Sequence, residues 1–273
     1  ERAGCAQCTQ GFKAPYGPTT AEQRAEGFKV VYEGHPCQWN GPSWPFATAQ
    51  TLTGLAKTLH RDGESANITK DVYFETLQTY SNSHRRVNED GKTVCWIDEN
   101  LNPFTGDWIS RTMLLAIDYK YKERGKDYNH SSFCDLVISG LVGVQPQADG
   151  SIVIEPLIPE GEWDWFSLSR ISCAGKEISV IYDRTGEHYG CKPGLTVYVD
   201  GKKAAHSETY STNITLQTIN MKKTFTFITL LLTAAVSYAQ PQLNKSNIDE
   251  VLGAMTLEEK VFLLEYRLHR HNK

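Results

Sequence analysis

Apolar residues recur at helical spacing through the first half of the chain and at alternate positions through the next sixty residues. Between 43 and 60, Phe46, Leu52, Leu55 and Leu59 share one helical face, with Ser43 as the N-cap and Pro45 in the first turn. Between 71 and 84 the same spacing unites Tyr73, Leu77, Tyr80 and His84. A third helix is predicted over 107–123, carrying Trp108, Met113, Leu114, Ile117 and Tyr121 and stopped by Gly125. A fourth is predicted over 131–141, with Leu136, Val137 and Leu141, ended by Gly143. After Gly150 the period falls to two. Short strands are predicted over 151–155, 163–168, 177–182 and 195–199, with Asp149-Gly150 and Asp200-Gly201 as hairpin turns. The expected fold is mainly α over 1–149 with a small β domain over 150–212, a short antiparallel sheet or sandwich packed on the helices.

Composition narrows the function classes. The 273 residues carry 28 Lys and Arg against 32 Asp and Glu, a net charge of −4, which excludes nucleic-acid binding through bulk positive charge. Six Trp, thirteen Tyr and ten Phe exclude a solvated, disordered chain. Seven cysteines are odd in number and widely spaced, so they read as free or buried thiols rather than as a disulfide framework. Cys5-x-x-Cys8 lacks a second pair at zinc-binding spacing, and no metal or cofactor is expected.

The ends of the chain are unusual. It begins at Glu1 and its first Met is Met113, as in a trimmed chain or a fragment. Met221-Lys222-Lys223, an apolar run over 225–236 and Ser237-Tyr238-Ala239 reproduce the three parts of a secretory signal peptide over 221–239. The run is shorter than the roughly 20 apolar residues of a membrane span, so no span is expected. Placed internally, the segment reads as the start of a second reading frame joined to the first. The parent protein is then expected to be periplasmic or secreted, although this chain has no N-terminal signal of its own. Residues 247–261, with Thr256 as N-cap and Glu259 three positions on, resemble the opening of family 3 beta-glucosidases. The stretch 213–273 is read as read-through without function here.

Three long loops carry the candidate chemistry. In Gln38-Trp39-Asn40-Gly41-Pro42-Ser43-Trp44, two indoles flank a Gly-Pro turn, with the Gln38 and Asn40 amides beside Trp39. Flat aromatic faces pack on the apolar faces of sugar rings, and amides both donate to and accept from hydroxyls. Two core tryptophans at a helix start would give the same pattern. The second loop, Trp96-Ile97-Asp98-Glu99-Asn100-Leu101-Asn102-Pro103-Phe104-Thr105-Gly106, holds an adjacent carboxylate pair, and Trp96 adds a further aromatic face. The third contains Asp127, Asn129 and His130 just before the fourth predicted helix, placed either to contact a ligand or to cap that helix. His130, Ser131 and Asp135 lie too close on one short segment to converge as a nucleophilic triad, and no Gly-x-Ser-x-Gly elbow is present.

The first loop resembles the trehalase signature Gln-Trp-Asp-x-Pro-x-Gly-Trp and the Trp-x-Gly-Pro-x-Trp loop of the related six-hairpin glycosidases, which include processing alpha-glucosidases and mannosylglycerate hydrolase. Asn40 replaces the Asp of trehalases. The second loop is similar to the Tyr-Glu-Asn-Tyr-Asn-Pro-x-Thr-Gly segment of these enzymes. The resemblance covers about residues 14–205. It implies the C-terminal part of an (α/α)6 toroid followed by a β domain, acting on an oligosaccharide or glycoside. It makes Glu99 the general base of an inverting two-carboxylate mechanism, with Asp98 as the alternative. The family's general acid is expected upstream of Glu1, so the chain alone is expected to be inactive. A non-catalytic carbohydrate-binding or structural remnant is the reading from another class.

Overall fold

The computed structural model describes residues 11–31, 37–121, 125–126, 128, 130–209 and 214–216. Helix α1 spans Pro45–Asp62 and α2 spans Lys70–Ser83. Each buries most of its predicted stripe, Leu52 and Leu59 from α1 and Tyr73, Leu77 and Tyr80 from α2, but Phe46 is 44% exposed, Leu55 is half-buried, and His84 is half-buried just past the end of α2. The α1 cap is Trp44 rather than Ser43. No side chain bonds the α1 start, and Pro45 occupies the first turn, where its missing N–H leaves nothing unsatisfied. Thr69 caps α2, its Oγ1 accepting from the Val72 amide at 3.2 Å.

The third helix is shorter than predicted. Helix α3 covers only Ile109–Ala116. Asp118 takes φ 49°, its amide donates to the Leu115 carbonyl at 3.2 Å, and the Tyr119 amide donates to Leu114 at 3.0 Å. That is a Schellman termination with Asp in the left-handed position usually held by Gly. Ile117 and Tyr121, which extend the apolar pattern, are 65% and 59% exposed, so no packing draws the helix onward.

The fourth segment opens with one α turn, α4 (Phe133–Asp135), and widens into a π-helical stretch at Leu136–Leu141. The Tyr73 hydroxyl donates to the Leu136 carbonyl at 2.7 Å and occupies the space beside Gly140, where a Cβ would lie 1.9 Å from that oxygen. The missing side chain thus admits a buried phenol from α2 and ties the two segments together.

Nine strands form three antiparallel sheets among the described residues. Strands β1 (Arg85–Val87) and β2 (Thr93–Cys95) make a hairpin. Strands β3 (Val144–Pro146), β4 (Ile152–Ile154) and β9 (Ile214–Leu216) make the second sheet. Strands β5 (Trp165–Cys173), β6 (Lys176–Asp183), β7 (Gly194–Val199) and β8 (Lys202–Ser207) make the third, in chain order. Asp200 and Gly201 both have positive φ, 50° and 74°, and close β7 on β8 as a type I′ turn. Ala174 and Gly175 do the same for β5 and β6. Ile178 and Val180 of β6 and Leu195 and Val197 of β7 join Leu52, Tyr73, Leu77 and Ile152 in one apolar cluster.

The expectation of a mainly α fold, and with it of an (α/α)6 toroid followed by a short sheet, is therefore corrected. Among the described residues only α1 and α2 exceed eight residues, at 18 and 14, and they are matched by three sheets. Two causes account for the misreading. Apolar period ran on past Ala116 into an exposed segment, and β1, β2, β3, β8 and β9 do not stand out as apolar alternation in the sequence.

Gly140→Ala is expected to destabilise the fold by about 2–3 kcal/mol, through overpacking and loss of a buried hydrogen bond. Urea denaturation checks this; an unchanged midpoint would show that Tyr73 has room to move.

Candidate active site

The first two loops are joined through the backbone. The Ser43 amide donates to the Leu101 carbonyl and the Leu101 amide to the Ser43 carbonyl, both at 2.9 Å. This isolated bridge sets the Trp39–Trp44 loop beside the loop that carries Asp98 and Glu99. Asn102 folds the far end of the second loop on itself. Its Oδ1 accepts from the Phe104 and Thr105 amides at 3.0 and 3.3 Å, an Asx turn that Gly106 completes at φ 78°.

In the first loop the two indoles differ in role. Trp44 is 1% exposed and its Nε1 donates to the Gln38 carbonyl. Trp39 stacks on it, with ring centroids 3.9 Å apart and planes 15° from parallel, and stays 47% exposed. The amides work inward. Gln38 Nε2 donates to the Val31 carbonyl at 2.8 Å, and Asn40 Nδ2 to the Gly27 carbonyl at 2.8 Å. Both hold the loop against 27–31, where a Cβ on Gly41 would sit 2.3 Å from the Lys29 carbonyl oxygen.

The adjacent carboxylates are both buried, yet they are separated by their partners. Asp98 is fully buried, and Arg111 Nε donates to its Oδ2 at 2.9 Å. Trp96 Nε1 donates to the same oxygen at 3.1 Å, and the Glu99 amide to Oδ1 at 2.9 Å. A buried carboxylate needs such an opposite charge and full hydrogen bonding to persist. Glu99 has no cation among these contacts. Its Oε2 accepts from Ser110 Oγ at 3.0 Å and its Oε1 from Cys37 Sγ at 3.2 Å. Ser110 and Arg111 reach the pair from the first turn of α3, whose start is held by Asn100: its Oδ1 accepts from the Ser110 amide at 3.0 Å.

Tyr128 links the two loops. Its ring packs edge-on to Trp44 at 5.6 Å, and its hydroxyl is pushed to a higher pKa by burial first, then by the charges of Glu99 and Cys37. Gly125 covers the carboxylates closely: a Cβ there would lie 2.5 Å from Asp98 Oδ1 and 3.1 Å from the Glu99 Cβ.

The remaining candidates fall differently. Trp96 is half-buried under the Arg86 guanidinium, 4.0 Å from its ring centroid, so that face is taken. His130 is 9% exposed and turned toward Asp98, its Nε2 3.0 Å from the Asp98 carbonyl oxygen. Asp127 and Asn129 lie outside the described residues, as do Cys5, Cys8 and the signal-peptide-like 221–239. Cys37, Ser110, Arg111 and Tyr128 were not singled out in the sequence. Arg111 and Ser110 had a signal, since both sit at the start of a recognisable helix directly after the loop. Cys37 had none beyond its place next to Gln38. Among the described residues no helix is long and apolar enough to cross a membrane.

Comparison with known proteins agrees with a carbohydrate-active origin. Residues 2–131 match the mannosylglycerate hydrolase MGH1-like glycoside hydrolase domain, and residues 147–206 match the glycosyl hydrolase family 65 C-terminal domain. A solved structure titled "Sialidase" is similar, at 37% identity and a TM-score of 0.64 over 76% of this chain. The chain spans only 18% of that protein's length. Both matching family models, one on either side of residue 140, describe domains of glycoside hydrolases.

Next to this site, burial first and then the charge of His130 push the His84 imidazole down to about pKa 4. Its ordinary value is near 6.5, so the unfolded chain takes up the proton first as the pH falls. The stability held by neutral His84 is present above about pH 6.5 and is lost progressively toward pH 4. At one unit per 1.36 kcal/mol this amounts to about 3 kcal/mol. Urea midpoints measured across that window should fall for the parent and fall less for His84→Gln. Parallel slopes would contradict the assignment.

Proposed function

We propose that this chain supplies the general base and an aromatic sugar platform to a glycoside hydrolase that works by an inverting mechanism, with Glu99 activating the attacking water. The reading is supported above all by the division of labour in the carboxylate pair. Asp98 is engaged by Arg111 and Trp96, whereas among the described residues the Glu99 carboxylate accepts from the Ser110 hydroxyl and the Cys37 thiol. A base needs lone pairs that are not committed to a cation, since a proton must be accepted in the transition state. Ser110 and Cys37 orient the carboxylate without neutralising it.

The same reading gives Trp39 the substrate contact. Its outer face is open while Trp44 backs the inner one, a rigid surface for the apolar face of a sugar ring. Gln38 and Asn40 act as struts of that loop. The substrate is an oligosaccharide or glycoside, in keeping with the two glycoside hydrolase domain matches. An inverting reaction also requires a carboxyl that protonates the leaving oxygen, roughly 6.5–9.5 Å from the base. The proposal assigns that part to no residue of this chain, so turnover is measured on the protein that carries it.

Glu99→Gln is expected to lower kcat by about 10²–10⁴-fold while sugar binding is nearly kept. Asp98→Asn is expected to lose stability before chemistry, since it removes the buried negative charge that Arg111 meets at 2.9 Å. Trp39→Ala is expected to weaken binding about tenfold, equally for ground and transition states. A severe kinetic loss in folded Asp98→Asn with a mild one in Glu99→Gln would reverse the roles. Two mild losses would place the base elsewhere.

A further inference from the structure

Three contacts of the His130 ring bear on where its protons are. Its Nε2 is 3.0 Å from the Asp98 carbonyl oxygen. Its Nδ1 is 3.1 Å from the Tyr80 hydroxyl and 3.2 Å from His84 Nε2. A carbonyl oxygen only accepts, so the first contact requires a proton on Nε2. In the neutral ring Nδ1 is then a bare acceptor, matched to Tyr80, whose hydroxyl is kept protonated by burial. The ring is packed on all sides. Tyr80 stacks at 5.8 Å, and His84 and Trp108 meet it edge-on at 4.9 and 6.3 Å.

The carbonyl that receives this bond belongs to the peptide group joining Asp98 to Glu99. The N–H of the same peptide donates to Asp98 Oδ1 at 2.9 Å. One peptide plane is thereby held at both ends, its oxygen by His130 and its nitrogen by a carboxylate that Arg111 anchors. Rotation of that plane would swing the Glu99 Cα–Cβ bond, and with it the carboxylate that Ser110 and Cys37 hold.

We propose that His130 is a positioning residue for Glu99: an Nε2-protonated imidazole, buttressed by Tyr80 and His84, that clamps the Asp98–Glu99 peptide and so aims the base. This rests on the reading of Glu99 as the base and assigns His130 no contact with substrate.

Two measurements test it. In the ¹⁵N-labelled 273-residue chain at pH 7, a two-bond ¹H–¹⁵N imidazole spectrum, assigned by loss of the signals in His130→Gln, should show Nε2 protonated. A ring protonated on Nδ1 alone overturns the clamp. In the protein that carries the chain, Gln and Asn then separate reach from bulk. The Gln amide nitrogen extends about as far as Nε2 and keeps the donor, whereas the Asn amide extends only as far as Nδ1. His130→Asn is expected to cut kcat about 10²-fold, the cost of a misplacement near 1 Å, with KM nearly unchanged. His130→Gln should recover most of that loss. Parental kcat in His130→Asn beside an inactive Glu99→Gln overturns the positioning role alone. Equal losses in the Gln and Asn variants overturn it too, since the donor would then not matter. Full activity in Glu99→Gln fails the base assignment first and removes what His130 would position, while the spectrum still reports on the clamp.

Discussion

The Asp98–Arg111 ion pair is the constraint around which the rest of the site is arranged. Neither residue has meaningful access to water, at 0% and 4% exposure, and their opposite charges meet at 2.9 Å, which offsets the cost of burying both. Satisfying the pair fixes several things at once. Arg111 must lie in the first turn of α3, so the loop before that helix has to return the chain to Asp98. Asn102 turns the loop, and Asn100 bonds the amide of Ser110. Trp96 completes the shell of Asp98 through its indole N–H, while the cations of Arg86, Lys126 and Arg111 lie within 4.0–5.3 Å of its ring centroid.

Because Asp98 is committed, its neighbour is not. The two carboxylates are adjacent in sequence, yet one is paired with a guanidinium and the other accepts from a hydroxyl and a thiol. Electrostatics alone would disfavour two neighbouring buried charges; the guanidinium removes that conflict for Asp98 and leaves Glu99 to polar donors. The backbone bridge between Ser43 and Leu101 then brings the stacked Trp39–Trp44 pair alongside, with the Tyr128 ring edge-on to Trp44. The stacked indoles and the carboxylate pair are thus set side by side by one backbone bridge and one ion pair rather than by any single element.

Much of this was legible in the sequence, but unevenly. Helices α1 and α2 were, because Leu52, Leu59, Tyr73 and Leu77 keep a 3.6-residue period and all are buried. The Asp200-Gly201 turn was, because both residues tolerate positive φ; the Ala174-Gly175 turn was not, since Ala carries no such signal. Helix α3 was overread because exposed Ile117 and Tyr121 continue the apolar period past its end, and the strands that were missed, four of three residues and β8 with its Lys202-Lys203-Ala204-Ala205-His206-Ser207 sequence, do not stand out by apolar alternation. That imbalance turned a mixed fold into an expectation of a mainly α one. At the site, the loop residues were found by resemblance, but the choice between Asp98 and Glu99 was not decidable from two adjacent acids. What sets the two acids apart is Arg111, thirteen residues later in sequence and 2.9 Å from Asp98 in space.

The central claim is that this pairing, and not mere burial, holds Asp98 out of the chemistry. A double-mutant cycle on the 273-residue chain, with Asp98→Ala, Arg111→Ala and the two combined, measures it by urea denaturation. The account predicts strong non-additivity, a coupling of about 2 kcal/mol or more, because the two buried charges meet directly and either single change removes that contact. Additivity within about 0.5 kcal/mol would contradict it and return Asp98 to equal standing with Glu99.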